Sequence, residues 1–223
     1  MNAMLSMLRE VGIDEAGRGP VIGSLFVAGV LNFEGLEALG VRDSKRLSPE
    51  RREQLAKLIE DATEVQVVEL TAREIDERRK SQTMNEITVD LFARIIELLH
   101  PDRVYVDAAD VNPERFAYNI RKRCNSNMHN IEIIAEFKAD VNYPVVSAAS
   151  IVAKVHRDRS IRELAAEIGT EIGSGYPADP RTIQFLKRLL NEHKDKNSIP
   201  AYVRRSWKTV ERLCHKAYLY THD

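Results

Sequence analysis

Cysteine is nearly absent: the 223 residues hold only Cys124 and Cys214. Two cysteines exclude a disulfide framework and any Cys-rich zinc module, and they point to a reducing cytosol. No apolar run is long enough for a bilayer; the longest mostly apolar stretch, residues 21–30, is interrupted by Gly23 and Ser24. No membrane partner is expected. Residues 1–8 lack the charged start and long apolar core of a signal peptide. There is no serine-nucleophile elbow, no phosphate-binding P-loop and no His-Glu-x-x-His pair, and the six histidines show no ligand spacing. Gly17, Gly19 and Gly23 do not make a dinucleotide fingerprint, because they lead into another strand instead of opening a helix.

What the chain does have is 43% hydrophobic and 30% charged residues, enough to bury a core. Its net charge is only −1, but the charge is unevenly spread. Residues 181–223 carry 10 Lys and Arg against 4 Asp and Glu, a local +6 on an otherwise acidic body. Such a tail either meets phosphates, through Lys187, Arg188, Arg204, Arg205 and Lys208, or forms a solvated helix face.

Branched and apolar runs predict five strands, at residues 11–14, 21–33, 64–70, 103–107 and 131–137. Helices are expected at 49–60 behind the cap Ser48, at 86–99, at 147–168 ending on Gly169, from Pro180 to about His193 behind the cap Asp179, and at about 205–218. Three early strands followed by alternating strand and helix give an α/β fold, a mixed five-stranded sheet flanked by helices. The Gly/Pro-rich stretch at 173–180 suggests a boundary, with residues 1–178 as the main domain and 179–223 as a C-terminal helical extension.

Asp14 and Glu15 close the first predicted strand, Asp107 closes the fourth, and Asp140 lies just past the fifth. Carboxylates at the ends of neighbouring parallel strands converge on one sheet edge. There they repel one another unless protons or cations neutralise them, and hard divalent ions favour oxygen ligands. Strand-end aspartates also serve as turn formers, so the pattern alone leaves both readings open. Adjacent strand residues face opposite ways, so Asp14 and Glu15 share a site only if the chain leaves regular strand geometry, as Gly17 and Gly19 permit.

Gly17-Arg18-Gly19 is either a tight turn with an exposed Arg or a place where bare amides meet phosphate and sugar oxygens. Ser147, Ser150 and Lys154 share one helical face near a helix start, as phosphate ligands or as ordinary capping and pairing groups. Tyr176, in a Gly/Pro turn, is a stacking platform for a sugar or base, or loop packing. Trp207 belongs to the core of the tail.

Taken together, several runs resemble ribonuclease HII. They are Gly12-Ile13-Asp14-Glu15-Ala16-Gly17-Arg18-Gly19-Pro20, Asp43-Ser44-Lys45-Arg46-Leu47-Ser48, Tyr105-Val106-Asp107-Ala108 and Lys138-Ala139-Asp140. The run from Ala148 to Val155 and the Arg157-Asp158-Arg159 triplet follow in the family's order. Gly173-Ser174-Gly175-Tyr176-Pro177 and Arg205-Ser206-Trp207 look like the archaeal branch. The similarity covers nearly the whole chain from Val11 onward.

The resemblance implies a ribonuclease H-like fold and an endonuclease that cuts RNA in RNA–DNA hybrids and at ribonucleotides embedded in duplex DNA. It implies incision 5′ of the ribonucleotide, leaving 5′-phosphate and 3′-hydroxyl ends. By match, Asp14, Glu15, Asp107 and Asp140 hold two Mg²⁺ or Mn²⁺ ions. Gly17, Arg18, Gly19 and Tyr176 read the RNA–DNA junction, and Lys45, Ser147, Ser150 and Lys154 are further substrate contacts. Ribonuclease HIII is set apart by its extra N-terminal domain and Gly-Lys-Gly, and type 1 ribonuclease H by its lack of the adjacent Asp-Glu. The same acidic cluster also suits another nuclease of this fold or a silent hybrid-binding module. The tail 213–223 lacks the glutamine and paired aromatics of a clamp-binding box, so no sliding-clamp partner is expected; the chain is expected to be a cytoplasmic monomer.

Overall fold

Val11 to Leu31 sets the architecture. β1 (Glu10–Ala16) and β2 (Leu25–Leu31) pair antiparallel, from Val11 opposite Leu31 to Ala16 opposite Phe26. β1 then pairs in parallel with β4 (Arg103–Asp107), and β4 with β5 (Glu132–Glu136). With β3 (Val65–Leu70) outermost, the described residues form one five-stranded mixed sheet in the order β3-β2-β1-β4-β5. This is the expected α/β class. The structure, a computed structural model, describes residues 8–41, 47–125, 131–193, 195 and 198–219, the last four without side chains.

The helices are α1 (Pro49–Ala62), α2 (Ala72–Arg78), α3 (Met84–Leu99), α4 (Pro113–Arg123), α5 (Ala139–Asn142), α6 (Pro144–Ile168), α7 (Pro180–Glu192) and α8 (Lys208–Leu219). Ser48 caps α1 and Asp179 caps α7, each with proline in the first turn, as their sequences require. α2 and α4 are additional to the expected helices, although Thr71 and Glu74 form a reciprocal capping box and Asn112 caps Pro113. Both helices bury only two or three side chains, so few apolar residues mark them in the sequence.

The chain packs as two compact units. The first comprises 1–16, 26–68 and 85–155 and holds nearly all of the sheet. Ala28 and Val30 on β2, Leu55 and Ile59 on α1, and Val146, Ala149 and Val152 on α6 share its core. The second comprises 17–25, 69–84 and 156–223, and centres on Ile22, Ile161, Ile172, Phe185, Leu186, Val203 and Val210. The boundary suggested at 178/179 falls inside the second unit, whose C-terminal part begins at residue 156.

That packing also corrects the strand expected over 21–33. Val21 and Ile22 donate their amides to the Gly175 carbonyl, Gly23 donates to Tyr202, and Ile22 bridges Val203. Gly23, at φ +86°, then turns the chain into β2 at Leu25. α8 begins later than expected, at Lys208, because Asp76 draws 205–206 into a turn. The Asp76 carboxylate accepts from the Arg205 amide at 2.7 Å, the Ser206 amide at 3.0 Å and the Ser206 hydroxyl at 2.6 Å.

Candidate active site

In the first unit the three parallel strands β1, β4 and β5 end together, and their carboxylates follow. Ile13 pairs with Val106, so the next step of the register sets Asp14 beside Asp107. Asp107 pairs with Glu136 at the end of β5. The chain then turns through Lys138, held at φ +57°, into α5, where Ala139 donates its amide to Asp107 Oδ1 at 3.2 Å and Asp140 follows, buried. This local fold brings the α5 segment that carries Asp140 back beside the end of β4.

Asp14 is fixed from above by α6. Period-two alternation puts Gly12 and Asp14 on the same face of β1. Over Gly12 lies the backbone of Val145 and Val146, so close that a Cβ there would sit 2.3 Å from the Val145 carbonyl. Five residues further along α6, about 7.5 Å of helix, the Ser150 hydroxyl meets the Asp14 carboxylate two residues further along β1, about 7 Å of strand. Asp14 Oδ1 also accepts the Glu15 amide at 2.7 Å. Strand pairing continues unbroken through Glu15 to Ala16, and the chain leaves it only at Gly17, with φ +95°. The expected departure from strand geometry is therefore not what brings the two together, since the Glu15 charge acts on Asp14 from within the regular strand.

Electrostatics make this a costly arrangement. Burial raises the Asp14 carboxyl well above the usual aspartate range, and the Glu15 and Asp107 charges raise it further, against the lowering by Ser150 and the Glu15 amide. The Oε2 atom of Glu15 and the Oδ1 atom of Asp140 are buried without a hydrogen-bond donor, although both residues engage other groups. Among the described residues no group of three or more His, Cys, Asp or Glu side chains is arranged so that it could hold a metal ion. The fit to a hard divalent ion therefore rests on the donor set: hard anionic oxygens, gathered against their own repulsion.

The other expected contacts divide. Lys45 lies outside the described residues. Lys154 sits half-buried in the first unit. Ser147 is corrected: it is fully buried and its hydroxyl donates to the Val41 carbonyl at 2.5 Å, so it secures the chain there instead of facing solvent. It is not a cap either, since α6 starts at Pro144. Ser150 holds Asp14, an arrangement that helical spacing alone does not reveal.

The second unit gathers the glycine-rich loop and Tyr176. A Cβ on Gly17 would lie 2.6 Å from the Ser24 carbonyl, and one on Gly19 would touch the Tyr176 ring at 3.6 Å. Tyr176 keeps 36% of its surface exposed beneath the Arg157 guanidinium, whose Cζ is 4.7 Å from the ring centroid. Arg157 also donates to the Ser174 carbonyl and, at 3.0 Å, to Asp158. Of the five basic residues offered as tail contacts, Lys187, Arg188 and Lys208 are exposed. Arg205 is half-buried, and Arg204 is corrected outright: it is completely buried beside Trp207.

Comparison with known proteins identifies the family. The sequence model of the family described as Ribonuclease HII matches residues 11–210. A ribonuclease HII from Methanothrix thermoacetophila is 50% identical over 212 residues, covering 93% of this chain and 98% of the relative. Among solved structures, the ribonuclease H2 of Pyrococcus horikoshii superposes with a TM-score of 0.85 at 41% identity, covering 94% of this chain and 99% of that one. The ribonuclease HII of Archaeoglobus fulgidus, solved in complex with PCNA, gives a TM-score of 0.82 at 43% identity, covering 90% of this chain and 96% of that one. With its family's fold and with identity at this level over nearly its full length, the chain belongs to the ribonuclease HII family, ribonucleases H that cut the RNA of RNA–DNA hybrids.

Proposed function

We propose that this enzyme incises duplex DNA on the 5′ side of single embedded ribonucleotides as well as degrading RNA in hybrids, leaving 5′-phosphate and 3′-hydroxyl ends. The observation that carries the reading is Asp14: a buried carboxylate pressed by the Glu15 and Asp107 charges and held in place by Ser150. Such a group is relieved by a proton or by a cation, and hard divalent ions suit oxygen ligands. Asp14, Glu15, Asp107 and Asp140 are the ligands, for Mg²⁺ or Mn²⁺ in a two-ion arrangement. When bound, the ions supply an activated water and charge stabilisation for the leaving 3′ oxygen. The protein's own part is positioning. Ser150 orients Asp14, and the Ala139 amide orients Asp107.

Gly17-Arg18-Gly19 follows Glu15 directly along the chain after Ala16, and with Tyr176 it reads the ribose 2′-hydroxyl and the following deoxyribose. Lys45, Ser150 and Lys154 stay in the reading as substrate-side residues, Ser150 through Asp14. The enzyme works as a cytoplasmic monomer, and no helix among the described residues is long and apolar enough to cross a membrane. The expected lack of a sliding-clamp partner is set against the Archaeoglobus fulgidus relative, solved in complex with PCNA, and a clamp-binding measurement on this protein decides between them.

The test is a duplex bearing one ribonucleotide, incubated with Mg²⁺ or Mn²⁺ and mapped at nucleotide resolution. A single cut 5′ of the ribonucleotide is expected, with Tyr176→Ala losing this activity more than activity on a uniform hybrid. No incision of the embedded ribonucleotide, with the hybrid still cut, overturns the finer specificity.

A further inference from the structure

Three carbonyls of the loop after β1 converge on one side chain. Arg204 is 0% exposed, and its guanidinium donates from Nη2 to the Gly17 carbonyl at 2.6 Å, from Nη1 to that of Arg18 at 3.1 Å and from Nε to that of Gly23 at 2.9 Å. Its own amide donates to the Val21 carbonyl at 2.9 Å. The Trp207 ring covers it, 4.9 Å from Cζ. Burial pushes its pKa down to about 9, with the Arg157 charge lowering it and Tyr176 and Asp76 raising it, so it stays a cation at neutral pH.

A buried arginine can do this where lysine cannot. The guanidinium is a rigid planar fork whose donors diverge, whereas an ammonium is a single point. The fork also fixes direction. In a trans peptide the carbonyl of one residue and the amide of the next lie in one plane and point opposite ways, and the peptides here are trans. Drawing the Gly17 and Arg18 carbonyls onto Arg204 therefore turns the amides of Arg18 and Gly19 to the opposite side. We infer that Arg204 is the positioning residue of the reading loop, aiming the Arg18 and Gly19 amides at phosphate and sugar oxygens of the nucleic acid without touching it.

This rests on the junction-reading role proposed above for Gly17-Arg18-Gly19 and Tyr176. Arg204 is itself presented by a pinned turn, since the next two residues give three hydrogen bonds to Asp76. The device runs from Asp76 through the 204–206 turn to the loop carbonyls, all within the second unit.

The test compares Arg204→Lys, Asp76→Asn and Tyr176→Ala on two substrates, a duplex with one embedded ribonucleotide and a long uniform hybrid, with circular dichroism as the folding check. Arg204→Lys keeps the charge and loses the fork. Its kcat/KM on the single ribonucleotide should fall on the order of 10²-fold, the cost of about 1 Å of misplacement, and cuts should spread to neighbouring phosphates. The uniform hybrid should lose about tenfold less, because every register offers a 2′-hydroxyl. Asp76→Asn should shift selectivity the same way to a smaller degree, and it decides the matter if Arg204→Lys does not fold. Equal losses on both substrates in the folded variants make Arg204 a structural brace only and overturn the inference. If Tyr176→Ala is selective while the other two are not, the inference alone falls. If Tyr176→Ala is itself unselective, the junction reading falls and takes the inference with it.

Discussion

The hydroxyl of Ser150 on α6 donates to the carboxylate of Asp14 on β1. A hydrogen bond to a charged group contributes about 1.5–3 kcal/mol when buried. Ser150→Ala should therefore leave the fold intact and raise the Mn²⁺ concentration needed for half-maximal cleavage by about tenfold or more. Titrating activity against metal checks this. A metal dependence identical to that of the parent returns Ser150 to a phosphate-binding role.

Asp107→Asn and Asp140→Asn each replace an anionic oxygen with an amide. Cleavage should fall by at least the order of 10²–10³, while hybrid binding measured in Ca²⁺ stays close to the parent's. Turnover near the parent's in both variants removes these residues from the ligand set.

Asp14→Asn should abolish cleavage and raise the melting midpoint of the metal-free protein. Because the folded-state pKa of Asp14 lies above the unfolded value near 3.8, the folded state resists its ionisation. Metal-free stability should then decline as pH rises from about 4 through the raised folded value, and level off above it. The Asn variant lacks that decline, so the two proteins converge near pH 3 and separate by a few degrees at pH 8. Melting curves in a chelator across this range measure it, and parallel curves at all pH values contradict it.

Gly12→Ala places a methyl group against the Val145 and Val146 backbone, which cannot move as a flexible side-chain tip can. A destabilisation of about 3 kcal/mol or more is expected, beyond ordinary overpacking. Because β1 carries Asp14 and α6 carries Ser150, cleavage should also drop at temperatures where the variant is folded. Chemical denaturation and activity at the same temperature test both parts.

Lys187 and Arg188 are exposed on α7 in the basic tail. Neutralising both should weaken hybrid binding at low salt and leave the cut position unchanged. The plot of log affinity against log salt should flatten by about 0.7–0.9 for each phosphate that is no longer neutralised. An unchanged slope makes them a solvated face.

Much of this is legible in the sequence because local physics decides it. β4 runs over Arg103–Asp107 as its alternation requires, and α1 and α7 start at their Ser48 and Asp179 caps. Asp14 and Asp107 stand out because the parallel strands β1 and β4 run side by side to them. What stays hidden depends on partners distant in the chain. Arg204 reads as one more cation of a basic tail, and nothing near it in sequence announces that its acceptors are Gly17, Arg18 and Gly23. Ser147 and Ser150 look equivalent at helical spacing, yet one meets Val41 and the other Asp14, since neighbouring positions of α6 face different elements. α2 and α4 stay hidden for the opposite reason: their capping signals are present, but their burial is slight.

Arg204 follows the last of the carboxylates, Asp140, by more than sixty positions, and it is bonded to a residue 187 positions earlier. Translation proceeds from the N-terminus, so the segments bearing Asp14, Glu15, Asp107 and Asp140 leave the ribosome well before Arg204 can bond to the 17–23 loop. The nascent chain thus acquires its cutting groups first and the aim of that loop last. A chain released short of Arg204 carries all four carboxylates but lacks the side chain to which the Gly17, Arg18 and Gly23 carbonyls are bonded.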